Sequence, residues 1–337
     1  MADVLEQPTA SATARARVAF VIPVRNDAVR LANCLRTLAV GAGAIPHDVV
    51  VLDHGSTDGS AEVAEAAGAR VIRHQGGNVA GLRNLGASSS SADLIAFVDA
   101  DNEIVPGWLD AAIAAMADPK VGMAGAPSQA PPRGTWVQQT YDALRRHPKT
   151  TEPIEWLGAA NMVVRRDVFL AIGGFDESLE TCEDVDLCLK VMARGCTVLA
   201  VPGMKSVHHG DPARLGDVFW GELWRGRDNL RVSLRGPKSV RMVASALMPI
   251  AYAGAVVVAL LGLVVGGVIG ALASVVSLAG LGALLALRVT AMRRNAGGRW
   301  PAGLWAALQV AAVYDLGRSA AVFVGVGHGR RRGTPTA

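Results

Sequence analysis

The 337-residue chain reads as an α/β domain followed by a helical hairpin that enters a membrane. Three observations predict this. Short apolar runs alternate with amphipathic segments of helix length through the first half of the chain. Three of the first four such runs end in polar groups. And residues 242–287 contain no Asp, Glu, Lys, Arg or His, although 18% of the whole chain is charged.

The elements follow in order. "RVAFVIPV" (17–24) is a buried strand, and residues 28–40 form an amphipathic helix. "DVVVLD" (48–53) is a second strand, with a helix capped near Ser56, Thr57 and Asp58 behind it. "ARVIRH" (69–74) is a third strand, residues 78–87 a helix, and "DLIAFVD" (93–99) a fourth strand. Strands that alternate with helices make a parallel α/β sheet. In such sheets ligands sit beyond the carboxyl ends of the strands. There the sequence places Arg25, Asn26 and Asp27, then Asp53, then Asp99 and Asp101. One ligand touching all three groups is the simple explanation.

Several classes drop out. "DADNEI" starts like a calcium loop, but Ile104 stands where the turn glycine belongs, and the distal Glu is missing. "GGNVAGLRNLG" lacks the GK[ST] ending of a P-loop, and "PVRND" lacks GxGxxG. The four cysteines, Cys34, Cys182, Cys188 and Cys196, show no CxxC spacing and read as reduced thiols. "MADVLEQPTASATARAR" has no apolar stretch, so no signal peptide is expected. The net charge of +4 is modest, and its basic stretches hold few aromatics, which disfavours nucleic acid as a partner.

Six stretches carry the chemistry: "VIPVRND", "VVVLDHGSTDGS", "GLRNLGASSSSADLIAFVDAD", "GAANMVVRRDVFLAIGGFDE", "ETCEDVDLCLKVMARG" and "VHHG". In this order they resemble a family 2 glycosyltransferase, an inverting enzyme of the GT-A fold, here a membrane-anchored bacterial-type member. The resemblance covers residues 16–212 and implies a Rossmann-like mixed sheet that binds a nucleotide-diphosphate sugar (UDP-, GDP- or dTDP-linked). Asp99 and Asp101 match its DxD motif. A departing diphosphate needs its charge neutralised by a divalent cation held on hard oxygen ligands, Mg²⁺ or Mn²⁺. Asp101 is expected to touch the metal and Asp99 to reach the ribose or the metal; a solvated loop is the rival reading. His208, first of the paired histidines, is a further candidate ligand, with a surface histidine as its rival.

The same resemblance implies a donor pocket of Pro23, Arg25, Asp27, Asp53 and Arg83. Turn capping competes for Asp53, and a surface ion pair for Arg83. Asp184 is the candidate catalytic base. Inversion by single displacement needs a carboxylate opposite the leaving group to take the acceptor proton. Residues 183–194 read as a helix, which puts Glu183 and Asp184 at its N-terminal end, where the dipole favours carboxylates. Glu183 and Asp186 are possible support. Trp156, Gly158, Ala159 and Ala160 resemble the segment between donor sugar and acceptor. The small residues permit close backbone approach, and Trp156 could stack on a sugar or join the core.

The uncharged stretch 242–287 is too long for one span. At about 1.5 Å per residue a single helix would exceed twice the ~30 Å hydrocarbon thickness. Two spans fit, turning near Gly266, Gly267 and Gly270. Arg225, Arg227, Arg231, Arg235, Lys238 and Arg241 precede them; Arg288, Arg293, Arg294 and Arg299 follow, and Arg330, Arg331 and Arg332 close the chain. Basic flanks on both sides put both ends in the cytoplasm and suit an anionic lipid surface. Residues 300–327 are apolar but contain Asp315 and Arg318, and a midspan charge costs roughly 2.5–3.5 kcal/mol. An interfacial helix is favoured over a third span, with Asp315 and Arg318 paired on one face.

The expected organisation is therefore a flexible N-terminus (1–15), a GT-A domain (16–212), interfacial helices (213–241), two transmembrane helices (242–289), an interfacial or third membrane helix (300–327) and a basic tail (328–337). The resemblance implies metal-dependent, inverting sugar transfer on the cytoplasmic side of a cell membrane. The acceptor would be a hydroxyl on a membrane-associated glycolipid, lipid-linked glycan or envelope polysaccharide. A polyprenyl-phosphate glycosyltransferase and a non-catalytic sugar-nucleotide-binding membrane subunit are the alternatives.

Overall fold

The computed structural model describes residues 17–236 and 239–324. The expected flexible N-terminus, Lys238 and the basic tail lie outside the described residues. Apolar runs become β1 (Val18–Val24), β2 (His47–Asp53), β3 (Arg70–Arg73) and β4 (Leu94–Val98), separated by α1 (Ala28–Ala42), α2 (Ser60–Ala66) and α3 (Val79–Ser88). β1 pairs in parallel with both β2 and β4, and β2 with β3. Burial on both faces explains why these strands are continuous apolar runs rather than alternating ones.

The second half makes the sheet mixed. After β5 (Asn102–Ile104), α4 (Trp108–Ala115), β6 (Val121–Gly125), α5 (Trp136–Asp142) and β7 (Glu152–Pro153) comes β8 (Asn161–Arg165). β8 inserts antiparallel between β4 and β6. α6 (Arg166–Ala171), α7 (Glu183–Ala193), β9 (Thr197–Ala200) and β10 (Ser206–His208) follow. The eight-stranded order is β3-β2-β1-β4-β8-β6-β9-β7. Phe20, Leu31 and Trp108 pack on one face, and Phe97, Phe169 and Leu187 on the other. Strand alternation alone predicts only parallel pairing; β8, between β7 and α6 in the chain, departs from it by returning along β4.

β10 leaves this sheet to pair antiparallel with β5, setting His208 opposite Asn102. That small ribbon brings the end of the domain back to the strand that ends in Asp99.

The C-terminal part holds α8 (Leu215–Arg225), α9 (Asn229–Ser233), α10 (Val240–Val265), α11 (Gly267–Asn295) and α12 (Leu304–Val324). α10 and α11 form the hairpin, which turns at Gly266 and Gly267, both at positive φ (67° and 63°), where a side chain would be strained. α10, α11 and α12 are each long and apolar enough to cross a membrane. α12 packs its Ala307, Val310 and Ala311 against Val137 and Tyr141 of α5, Val218 of α8 and Val289 and Met292 of α11. Asp315 and Arg318 do not pair with each other as the sequence implied. Asp315 takes Arg288 of α11 (2.6 Å), and Arg318 takes Glu222 of α8 (2.6 Å), because each faces a different neighbour.

Candidate functional site

The site grows from the carboxyl ends of the strands. Beyond β1, Asn26 adopts a left-handed φ of 51°. Its side chain accepts from the Thr57 N–H (2.8 Å), and its own N–H donates to Ser56 Oγ (3.0 Å). Asp27 N donates to Ser60 Oγ (3.0 Å) and the Asp27 carboxylate pairs with Arg30 (2.8 Å). The first two strand-end loops are thus laced together. Asp53 is buried and accepts from the Ser56 N–H (3.1 Å), so it caps its own turn. Arg25 is exposed at the rim, beside half-buried Pro23.

β4 delivers the acidic pair. Asp99, Asp101 and His208 each offer a ligand atom, all within 4.8 Å of one another. His208 Nε2 lies 3.4 Å from Asp101, and Nδ1 lies 2.8 Å from Asp211. Arg145 in turn binds both oxygens of Asp211. Burial disfavours an imidazolium, but the Asp101 and Asp211 carboxylates outweigh it and push the His208 pKa up to about 10. Gly210 is required here: a Cβ at that position would collide with the Asp101 carboxylate.

Two oxygens and an imidazole suit Mg²⁺ or Mn²⁺. The Asp211 contact leaves Nε2 of His208 aimed at the carboxylates, the orienting arrangement usual for metal-bound histidine. The carboxylates that favour a proton on His208 would equally favour a divalent cation in its place. The residues present fit such an ion.

α7 supplies the second half of the site. Cys182, its N-cap, sits at a left-handed φ of 59°. Of the two carboxylates that follow, Glu183 is buried and bonded to Arg83 (2.8 Å). Asp184 has no such partner; it accepts from the N–H of Val185 (2.8 Å) and from that of Ala159. Desolvation, then the neighbouring Glu183 charge, raise the Asp184 pKa to about 7. Asp186 is turned elsewhere, bonded to Arg235 (2.8 Å) and Lys190 (2.9 Å), where it ties α7 to the segment after α9.

The small-residue loop connects the halves. The Ala160 carbonyl accepts from Asp99 N (3.3 Å) and from Asn102 Nδ2 (3.1 Å), while Ala159 reaches Asp184. Gly158 lies against the Asp184 carboxylate, and Trp156 is 53% exposed.

Arg83 departs from its expected surroundings. It is not at the surface: only 4% exposed, it bonds Asp99 (2.7 Å) and Glu183 (2.8 Å) with its two terminal nitrogens. It therefore clamps the β4 end to the α7 start. Sequence reasoning missed Asp211 and Asn161. Asp211 stands three residues after His208, a spacing that could have been noticed. Asn161 donates to the carbonyls of Ala126 and Met204 and accepts from Trp108 Nε1, fixing the start of β8; it stands directly after the small residues in "GAANMVV".

Residues 19–171 match the family model of glycosyl transferase family 2. The chain carries a family 2 glycosyltransferase domain. The match ends before α7 and β10, so Asp184 and His208 lie outside it. Among curated relatives, the pre-mycofactocin glycosyltransferase of Mycobacterium tuberculosis is 27% identical over 277 residues, covering 77% of this chain and 55% of that protein. The chain thus spans about half the length of that relative. The N-acetylglucosaminyl-diphospho-decaprenol L-rhamnosyltransferase of the same organism is 33% identical over 135 residues, 34% of this chain and 43% of that one. In fold, the chain is similar to the mannosyltransferase PcManGT from Pyrobaculum calidifontis, solved with GDP-Man and Mn²⁺. The TM-score is 0.56 at 20% identity, over 90% of this chain and 88% of the other. This glycosyltransferase domain therefore has the GT-A-like core, with three apolar helices appended.

Proposed function

We propose that the protein moves a sugar, with inversion, from a nucleotide-diphosphate donor to a hydroxyl of a membrane-associated acceptor. The observation that carries this reading is the convergence of Asp99, Asp101 and His208 with Asp184 on one edge of the sheet, joined through Arg83 and the 158–160 loop.

The donor, UDP-, GDP- or dTDP-linked, lies along the β1 and β2 loops, with Asp53 and Asp27 toward the nucleoside. Asp101, Asp99 and His208 would hold Mg²⁺ or Mn²⁺, whose charge would offset that of the departing diphosphate. Asp184 takes the proton from the acceptor hydroxyl as that oxygen bonds the anomeric carbon on the opposite face. Its pKa near 7 suits a base at neutral pH. Glu183 is kept from that task by Arg83, and Trp156 borders the acceptor path. A phosphate acceptor, already an anion, would need no base.

α10 and α11 cross the membrane, with the catalytic domain on its cytoplasmic face. α12 lies in the interface. Its centre is tied to Arg288 near the end of α11, its N-terminal half rests on α5, and Trp220, Trp224 and Trp305 are exposed around it. The acceptor then approaches along the lipid surface, as a glycolipid, lipid-linked glycan or envelope polysaccharide.

The test is transfer from a panel of nucleotide sugars by the full chain in lipid nanodiscs, with and without Mn²⁺. Metal-dependent transfer that Asp184→Asn abolishes supports the reading. Transfer that survives Asp184→Asn but not Asp101→Ala points to a phosphate acceptor, and nucleotide binding without transfer to a non-catalytic subunit.

A further inference from the structure

The geometry points to an anion subsite at the seam between α8 and α12, built to hold the phosphate or diphosphate of a lipid-linked acceptor. This rests on the transferase reading above and names what that acceptor carries.

Glu222 is fully buried, and three groups converge on it: Arg318 of α12 (2.6 Å), Arg225 of α8 (3.1 Å) and the Tyr141 hydroxyl of α5 (2.5 Å). Burial works against its ionisation, but Arg318 and Arg225 outweigh that and hold its pKa below the usual carboxylate value. One negative charge therefore serves two guanidiniums.

The nearest further carboxylate, Asp315, feels the Arg318 charge but is bonded to Arg288, which itself repels Arg318, so counting that pair still leaves three guanidiniums against two carboxylates. Asp211 is bonded to Arg145 and His208, Glu180 to Arg227, and Asp228 to Arg231. Arg145 adds to the crowding, since it and Arg318 both repel the Arg225 charge. Like charges packed at a seam cost stability unless something compensates them. The Arg225 and Arg318 side chains remain 35% and 19% exposed, so an anion can reach the excess charge. Guanidinium forks match phosphate oxygens better than any other side chain does.

The seam also has the right neighbours. Cys182, one residue ahead of Glu183, contacts the Arg225 carbonyl (3.5 Å) and lies within electrostatic reach of both Asp184 and Arg318. The seam therefore borders the N-terminal end of α7, which carries Asp184. On the other side, the apolar surface of α10 and exposed Trp224 offer a path for a lipid chain. Small residues let the helices close: a Cβ on Gly317 would meet the Phe219 carbonyl at 2.7 Å, and one on Gly226 the Ala321 methyl at 2.6 Å.

The experiment titrates decyl diphosphate into the full chain in neutral-lipid nanodiscs, read by tryptophan fluorescence. Inorganic diphosphate, decyl maltoside and nanodiscs containing phosphatidylglycerol run as parallel arms. Arg225→Gln and Arg318→Gln should each weaken decyl diphosphate binding by about tenfold or more, as expected for losing a charged hydrogen bond. Arg225→Lys should lose less, and Mn²⁺-dependent UDP or GDP binding should change by less than about twofold, because neither arginine bonds a residue of the donor pocket or the cation corner. Decyl maltoside should not compete. Unchanged decyl diphosphate affinity in both glutamine variants overturns the proposal. So does equal affinity for inorganic diphosphate, which would mean a free anion, or full competition by phosphatidylglycerol, which would mean bulk lipid. If wild type binds decyl diphosphate but no nucleotide with Mn²⁺, the subsite stands and the transferase reading falls.

Discussion

At the sheet edge, Asp99, Asp101, Asp211, Glu183 and Asp184 outnumber their cationic neighbours, the guanidiniums of Arg83 and Arg145 and the imidazole of His208. At the α8–α12 seam the ratio reverses, with Arg225 and Arg318 sharing Glu222. Both regions are largely buried, where unbalanced charge is expensive. The difference teaches what each region lacks: a cation at the edge, an anion at the seam. The proposed transfer from a diphosphate donor to an anchored acceptor calls for both.

The contrast can be broken most severely at the edge. Asp101→Ala removes an oxygen from the cation corner and should lower transfer on the order of 10³-fold or more, with loss of Mn²⁺-dependent nucleotide binding by calorimetry. Next, Asp184→Asn should lower kcat by roughly 10²-fold or more while nucleotide affinity stays put, which separates base from binding residue. At the seam, Glu222→Gln takes away the one shared negative charge. It should cost roughly 3 kcal/mol of stability, seen as a lower Tm, and added decyl diphosphate should recover part of the loss.

Smaller effects sharpen the comparison. Asp211→Asn leaves the ligands in place but frees the His208 ring, so Mn²⁺ affinity should fall about 10–100-fold. The pH profile is the mildest probe. The raised Asp184 pKa means the proposed base is protonated below about 7, so kcat/KM should rise about tenfold per pH unit up to there and then level off. The sign for stability is opposite. A carboxyl raised in the fold contributes most while protonated, so stability relative to Asp184→Asn should decline as pH climbs from the ordinary carboxylate range through about 7.

Much of this was legible from residue order. The strand ends at Asp53 and at Asp99 stood out because an apolar run that stops at an acid is visible without any partner. α3 begins where Asn78 caps it, and α7 starts at Glu183 as the helix signals require. The parts that misled were those whose meaning depends on who sits opposite. Arg83 had a surface ion pair as its rival reading, yet it is buried and bonds two carboxylates, one of them 100 residues away in sequence. Asp315 and Arg318, adjacent on one helix face, each found a partner on another helix.

By itself the sequence determined the period of each element, the edge where polar groups gather and the uncharged hairpin, since these follow from local spacing and transfer energies. Only the tertiary structure decided which carboxylate of the Glu183–Asp184 pair is neutralised, that His208 stands beside Asp101, and that α12 closes on Glu222. Charge compensation acts through space at a few ångströms, so its partners are set by the packing of the sheet and helices and not by their order along the chain.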